Sequence, residues 1–514
     1  MRQIETAAVI SDVTYDKDDE AHLISVKMAR GNSWTQKQRK KISLWKGEIL
    51  FIMIEVDKLL FGTLFLCTRE IYFKNHFCYA LNSVYSKGPA VPLNTSPTCV
   101  FGQRLNRYQS FSSRKIVSET VAETVRAVDD GRKVEIVWND GKSSRFHAVW
   151  LRHHCPCREC YSDEISQVLI DIDKLPLDIK VTDVTVTENG RVRIQWDDNH
   201  AGEFSSAFLK KYCYSQNSLQ QKKDSMKTML CKESVKPSVT YADCEADEKH
   251  VYKWLTDVNE NGLAMVKGAP VTNNLLTEFI PKHMAPLLDN TYGKIYDVIV
   301  MEEPTNLAYT RNKLQFHMDL PYYESMPGIQ FLHCLKFDDA LIGGETLFVD
   351  MFAVCEEFRQ TNPVEFKTLC SVPCTFSRNH LSRENPIHLL IRRPVINLNN
   401  EKEIIGVFWN PGVVGVSEIP EDHVTEYYRA YQLFARSISN FHTKNEIRLQ
   451  PGDIVTFNNR RMAHSRNSFT DGSGERHFQG CYVNICEYKS RLVSLTRKYG
   501  DVSTIKRVGN MDWM

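Results

Sequence analysis

The chain lacks an excess of charge of either sign: 64 Lys+Arg stand against 63 Asp+Glu, a net charge of +1. That balance excludes a chain-wide basic footprint for nucleic acid. Cysteine is sparse, 15 in 514 residues, too few for a disulfide scaffold; an odd count with one tight cluster points to an intracellular protein with a metal site. No long apolar run is free of charge. The strongest, Ile49 to Cys67, carries Glu55, Asp57 and Lys58 at its middle. Each such charge costs about 2.5–3.5 kcal/mol at a bilayer centre, so a buried strand or helix is expected there and no membrane partner. The residues after Met1 are polar and acidic, unlike a secretory signal. Acid is missing altogether from Ile71 to Ser118, where Lys74, Lys87, Arg104, Arg107, Arg114 and Lys115 are the charges. This is transit-peptide composition in an internal position. It reads either as a disordered linker or as a presequence behind an extra extension. The compartment follows from that choice, mitochondrion in the second case and cytoplasm in the alternative. The segment lacks a nucleic-acid motif and the aromatic interleaving of a single-strand groove, so no nucleic-acid partner is expected.

What is present starts near residue 120. Alternation predicts a strand from Val134 to Trp138, a turn at Asn139-Asp140-Gly141 and a second strand from Ser144 to Leu151. VTDVTVTENGRVRIQWDD repeats the pattern around Asn189-Gly190. Four regions result: a divergent extension over 1–118, a small β-rich domain over 119–215, a polar linker or surface segment over 216–242, and a larger mixed domain over 243–514. In the last, Val251, Trp254, Leu255 and Val258 have helical spacing that stops at Gly262. GLAMVKG, GIQFLHCLKF, ETLFVDMF and GDIVTFNN read as strands, with a helix around Ala353 to Gln360.

Two constellations carry chemistry. Cys155, Cys157 and Cys160 put three thiols within six residues, and structural zinc takes four soft ligands in a tetrahedron. His200, returned by the second hairpin, is the expected fourth; His153 and His154 are rival donors. With four protein ligands this zinc would hold structure and perform no chemistry. The second constellation is His317-Met318-Asp319. Residues i and i+2 of a strand share a side, so imidazole and carboxylate reach one ion, and a distant His464 would complete a facial triad for non-haem Fe(II). Such an oxygenase needs a cation for the distal carboxylate of 2-oxoglutarate. Arginine suits it by its planar fork; Arg476 is the candidate and Arg466 the nearer rival.

Together these pieces resemble the γ-butyrobetaine dioxygenase and trimethyllysine dioxygenase family, the iron enzymes of carnitine biosynthesis. The resemblance runs from about residue 120 to about 500, through AVWLRHHCPCRECY, HVYKWL, NLAYT, FHMDLPYY, PGIQFLHCLK, GGETLFVD, PGDIVTFNNRRMAHSR and ERHFQGCY. The intact CPCxxC run and the HxDLP context are more similar to the γ-butyrobetaine side of the family. The resemblance implies an α+β, mostly β fold: a double-stranded β-helix (jelly-roll) catalytic domain behind a small zinc domain. It implies catalytic iron on His317, Asp319 and His464, and zinc on Cys155, Cys157, Cys160 and His200. The cosubstrate 2-oxoglutarate falls on Arg476, Asn306 and Leu332, and ascorbate is the implied reductant. A small quaternary ammonium substrate would sit among Tyr292, Tyr296, Tyr309 and Tyr482, because such a cation is recognised by aromatic faces. The family's butyrobetaine enzymes often carry Trp where this chain has Tyr296 and Tyr where it has Leu320; Tyr322 and Tyr323 lie near enough to compensate. Homodimerisation is a further implication. The expected activity is hydroxylation of γ-butyrobetaine to L-carnitine, with trimethyllysine hydroxylation as the alternative and an inactive zinc-stabilised binding module as the rival of another class.

Overall fold

The computed structural model describes strands at Ile10–Tyr15, Ile24–Met28, Ile49–Met53 and Thr63–Cys67. It then describes residues 120–506 apart from 229, 232–233, 235, 305, 382–385 and 471–473. The chain divides into two compact units, Met1–Lys115 and Ile116–Met514. In the first, the expected apolar segment is an antiparallel hairpin pairing Ile49 with Cys67. The acid-free segment, 71–118, lies outside the described residues. Among the described residues no helix is long and apolar enough to cross a membrane.

The second unit opens with two three-stranded antiparallel sheets. Ala122–Val128, Lys133–Trp138 and Ser143–His147 form one; Val181–Val186, Val192–Trp196 and Ala201–Phe204 form the other. They share one apolar cluster containing Trp138, Phe146, Leu151, Ile194, Trp196 and Phe204. The turn at Gly190 takes φ +67°, a backbone region glycine enters without steric cost. The strand expected to run to Leu151 stops at His147, and Ala148–His153 is a helix. Its buried residues, Ala148 and Leu151, are three apart, which is helical spacing. The following segment, 216–242, holds a surface helix, Gln216–Met226, with no buried side chain, and ends in the strand Ser238–Thr240.

Beyond it, six strands form a mixed sheet in the order Ser238–Thr240, Leu263–Lys267, Ile454–Asn458, Ile329–Phe337, Arg476–Val483, Tyr296–Val298. A four-stranded sheet runs Leu314–His317, Met462–Arg466, Thr346–Asp350, Asn445–Ile447. Leu332, Cys334, Phe457 and Phe478 of the larger sheet pack with Phe348 and Ile447 of the smaller, and the Phe348 and Phe457 rings lie 4.9 Å apart. Two sheets packed face to face agree with the expected jelly roll. The other face of the larger sheet is covered by helices Glu248–Asn261, Leu276–His283 and Ile485–Tyr499. This explains the unbroken apolar run of the Ile329–Phe337 strand. Ile329 and Phe331 face the helices, while Leu332 and Cys334 face the second sheet, so both sides are buried. Glu248–Asn261 ends as its sequence predicts, at Gly262 with φ +77°, a left-handed cap that a Cβ disfavours. The helix expected near Ala353 starts at Met351, because Asp350 caps it by accepting from the amides of Phe352 and Ala353.

Candidate active site and metal centres

His317 is the last residue of Leu314–His317, and His464 sits opposite it in antiparallel register on Met462–Arg466. Their rings lie 4.2 Å apart. Asp319 follows just past the strand end, with Oδ1 3.4 Å from His317 Nε2 and Oδ2 3.9 Å from His464 Nε2. One donor atom from each lies within 4.8 Å of the others. The backbone is fixed around this point. Asn459, fully buried, accepts the Asp319 amide at 2.7 Å and donates to its carbonyl at 2.9 Å. The Met318 amide donates to the Trp409 carbonyl at 2.7 Å, and Asn410 donates to the Met318 carbonyl at 3.1 Å. Leu320 then takes φ +58°, a left-handed conformation uncommon for a branched side chain, which turns the chain directly after the carboxylate.

Each donor is electronically prepared. His317 Nδ1 meets the Gln315 carbonyl at 2.7 Å; that contact puts the proton on Nδ1 and leaves Nε2 as the lone-pair nitrogen. Burial lowers the basicity of His317, but the bond to Asp319 outweighs it and the pKa is raised. Burial and then the neighbouring His317 charge push His464 down to about 3, so it is neutral, as a ligand must be. Burial works to raise Asp319, yet its contacts with His317, His464 and Tyr482 together hold it below the usual carboxylate range. Oδ2 of Asp319 accepts from Gln330 Nε2 at 2.8 Å and from the Tyr482 hydroxyl at 2.7 Å, while Oδ1 is the oxygen on the His317 side. Two imidazoles and one carboxylate fit a non-haem iron(II) ion with open positions.

A cavity of about 740 Å³ opens over the triad, ample for two small molecules. His317, Asp319, His464, Arg476, Asn306, Leu332, Tyr292, Tyr296, Tyr309 and Tyr482 all line it. Thus the structure gathers every residue expected to touch iron, cosubstrate or substrate. Tyr322 lines the cavity as well; Tyr323 is not on its wall and takes up the Thr291 amide through its hydroxyl at 3.1 Å. Tyr296 and Tyr482 stack at 5.3 Å. The hydroxyl end of Tyr296 packs against Gly480, where a Cβ would come within 2.3 Å of its ring.

The two arginines differ. Arg466 spends its guanidinium on backbone, donating to the carbonyls of Ala308, Thr310 and Asn312 at 2.8, 2.6 and 2.7 Å. Arg476 lies over the Phe478 ring at 3.9 Å, is buried with Nε unpartnered among the described residues, and has its pKa lowered to about 9, by burial first and the Arg466 charge next. Among the described residues no carboxylate forms an ion pair with this guanidinium, and its place on the cavity wall suits an oxo-acid.

At the other centre, His200 Nε2 lies 3.3, 3.5 and 3.4 Å from the Sγ atoms of Cys155, Cys157 and Cys160. An ideal tetrahedron with Zn–S of about 2.3 Å and Zn–N of about 2.0 Å has S···N edges of about 3.5 Å. His154, one rival, bonds the Trp150 carbonyl through Nδ1 at 2.8 Å and stacks on that ring; neither it nor His153 joins the cluster. Arg152 donates to Cys160 Sγ at 3.3 Å and to Asp198 at 2.8 Å, and Asp198 accepts the His200 amide at 3.0 Å. Gly202 is required: a Cβ there would stand 2.6 Å from Cys155 Sγ.

Sequence reasoning missed Gln330, Asn459 and Arg378. Gln330 had a signal, since it is the polar interruption of an apolar strand. Asn459 and Arg378, the latter on Pro373–His380 and lining the cavity, had none.

Residues 226–482 match the profile of the "Taurine catabolism dioxygenase TauD, TfdA family", and residues 125–208 match "Gamma-butyrobetaine hydroxylase-like, N-terminal". The chain is 32% identical to a gamma-butyrobetaine dioxygenase of Pseudomonas sp. (strain AK-1) over 366 residues, covering 71% of this chain and 94% of that one. Human gamma-butyrobetaine dioxygenase is 28% identical over 382 residues, covering 73% and 97%. A mouse protein named "Trimethyllysine dioxygenase, mitochondrial" is 26% identical over 392 residues, covering 74% and 90%.

Proposed function

The chain belongs to the TauD, TfdA dioxygenase family, whose members use iron(II) and 2-oxoglutarate, and we propose that it hydroxylates γ-butyrobetaine to L-carnitine. The observation that carries this reading is one cavity joining a His-Asp-His triad, a buried arginine whose Nε has no hydrogen-bond partner among the described residues, and a wall of tyrosines. The similarity to two gamma-butyrobetaine dioxygenases along more than nine-tenths of their length supports the substrate.

In this reading His317, Asp319 and His464 hold the iron, and Arg476 takes the distal carboxylate of 2-oxoglutarate in a charge-assisted pair, with Asn306 and Leu332 beside it. Iron and cosubstrate, when bound, supply the oxidising chemistry that converts C–H to C–OH. The chain supplies the rest. Tyr292, Tyr296, Tyr309 and Tyr482 offer π faces to the trimethylammonium group, which has no N–H to donate and is held by ring quadrupoles instead. Fixing that end decides which carbon lies beside the triad, and such positioning is the protein's main contribution to rate. Cys155, Cys157, Cys160 and His200 would bind a structural zinc with no open position, stapling the two small sheets. Ascorbate would serve as external reductant, and homodimerisation and a mitochondrial address complete the proposal; a mitochondrial name among the relatives is compatible with the last.

Incubating the iron-loaded protein with γ-butyrobetaine and, separately, trimethyllysine tests the assignment. Carnitine with equimolar succinate is expected from the first. Faster product formation from trimethyllysine overturns the substrate, and no product from either overturns the activity.

A further inference from the structure

Gln330 stands where the two halves of the site meet. It is on Ile329–Phe337 and shares with Leu332 the side that faces the cavity. Its register partner is Tyr482. It is 1% exposed. Its single amide nitrogen has two bonds, one to Asp319 Oδ2 at 2.8 Å and one to the Tyr296 hydroxyl at 3.0 Å. An ionised carboxylate only accepts, so the nitrogen, and not Oε1, must face Asp319. This orientation leaves Oε1 buried without a hydrogen-bond partner among the described residues, although burying an unsatisfied acceptor is unfavourable. A glutamine serving the fold alone would be arranged to satisfy both ends. Here the carbonyl is sacrificed so that the NH₂ group can bridge the carboxylate and a tyrosine. Tyr482 closes the ring of contacts, stacked on Tyr296 at 5.3 Å and donating to the same Oδ2 at 2.7 Å.

We propose that Gln330 is a positioning residue that couples occupancy of the tyrosine-lined cation site to ligation of the metal by Asp319. The inference rests on the reading of the tyrosines as a cation site and of the triad as a metal site. When a cation settles against Tyr296 and Tyr482, their hydroxyls are fixed, and the amide between them is fixed with them. Asp319 is then held in one orientation between the two imidazoles, with Oδ2 bonded to Gln330 and Tyr482 and Oδ1 on the His317 side. Partners of ligating carboxylates of this kind set affinity by 10- to 100-fold in metal sites generally, and coupling between two bound species must be reciprocal.

The test titrates cobalt(II), followed by its visible absorption, into iron-free protein with tetramethylammonium chloride or with sodium chloride at equal ionic strength. Tetramethylammonium is the cation-only probe, so the result does not depend on which trimethylated substrate is natural. In the wild type the organic cation should tighten cobalt binding at least fivefold. In Gln330→Met, cobalt affinity alone should fall about tenfold and the tightening should shrink below twofold. In Tyr296→Phe, which keeps the ring and loses the acceptor, the tightening should again be lost. Equal tightening in all three proteins, or none in the wild type while the cation binds, overturns the coupling and leaves the cation site standing. No cation binding by wild type overturns the cation site and the coupling with it.

Discussion

The hydroxyl of Tyr482 donates to Oδ2 of Asp319 at 2.7 Å. An aromatic wall of the cavity and the carboxylate of the triad therefore share a proton donor. Four predictions follow the geometry outward from that contact.

His317→Ala should reduce hydroxylation to background while the fold persists, because its ring lies at the cavity surface and not in an apolar cluster. Product formation and far-ultraviolet circular dichroism check it. Full turnover in this variant would remove the triad assignment.

Tyr309→Ala and Arg476→Gln should separate the two ligands. Removing the Tyr309 face should raise the KM for a trimethylammonium substrate about tenfold with little change for 2-oxoglutarate. Removing the Arg476 charge should raise the 2-oxoglutarate KM about 10- to 100-fold, the equivalent of a charge-assisted bond of about 1.5–3 kcal/mol, with little change for the substrate. Steady-state kinetics with each ligand varied in turn would expose any failure, namely parallel effects on both.

Gly202→Ala should weaken zinc. The added methyl meets Cys155 Sγ at 2.6 Å, too near for either atom to keep its place. Metal content by atomic emission should fall below one zinc per chain after mild chelation. Hydrogen exchange across Ser143–His147 and Ala201–Phe204 should rise, with the iron-site strands unchanged.

Glu248→Gln should alter the acid limb of stability. Lys498, with Tyr499 and Arg491, holds the Glu248 carboxyl down to about 2 against its ordinary 4.5. A depressed carboxyl stabilises the fold above its unfolded pKa and loses that contribution as pH falls from 4.5 through 2. At neutral pH the variant should be less stable by about 1 kcal/mol, a modest figure because the group is one-third exposed. The difference from wild type should narrow from pH 4.5 downward and close below pH 2, and urea melts along the pH scale measure it.

Much of the site was legible because its chemistry is local. His317 and Asp319 are two residues apart, and the three cysteines lie within six, so spacing alone groups them. Gly262 ended its helix as read, since a left-handed cap leaves a mark in sequence. Long-range pairings were harder. Spacing left Arg466 as a rival to Arg476; the fold puts both on the cavity wall and shows the rival engaged by three carbonyls. The strand expected through Leu151 failed because Ala148 and Leu151 fit alternation less well than helical spacing, and tertiary packing decided it. Asn459 was invisible, for its role is to grip backbone 140 residues away in sequence.

Two residues past His464, Arg466 latches the segment from Ala308 to Asn312 and thereby steadies the turn that bears Tyr309. A single short strand thus supplies a metal donor and braces the opposite bank of the chamber. Guests arriving at that bank find its contour already set, so little freedom of the Tyr309 turn is left to be surrendered on docking. On that side, discrimination among trimethylated amines would then come from rigid fit to a finished shape.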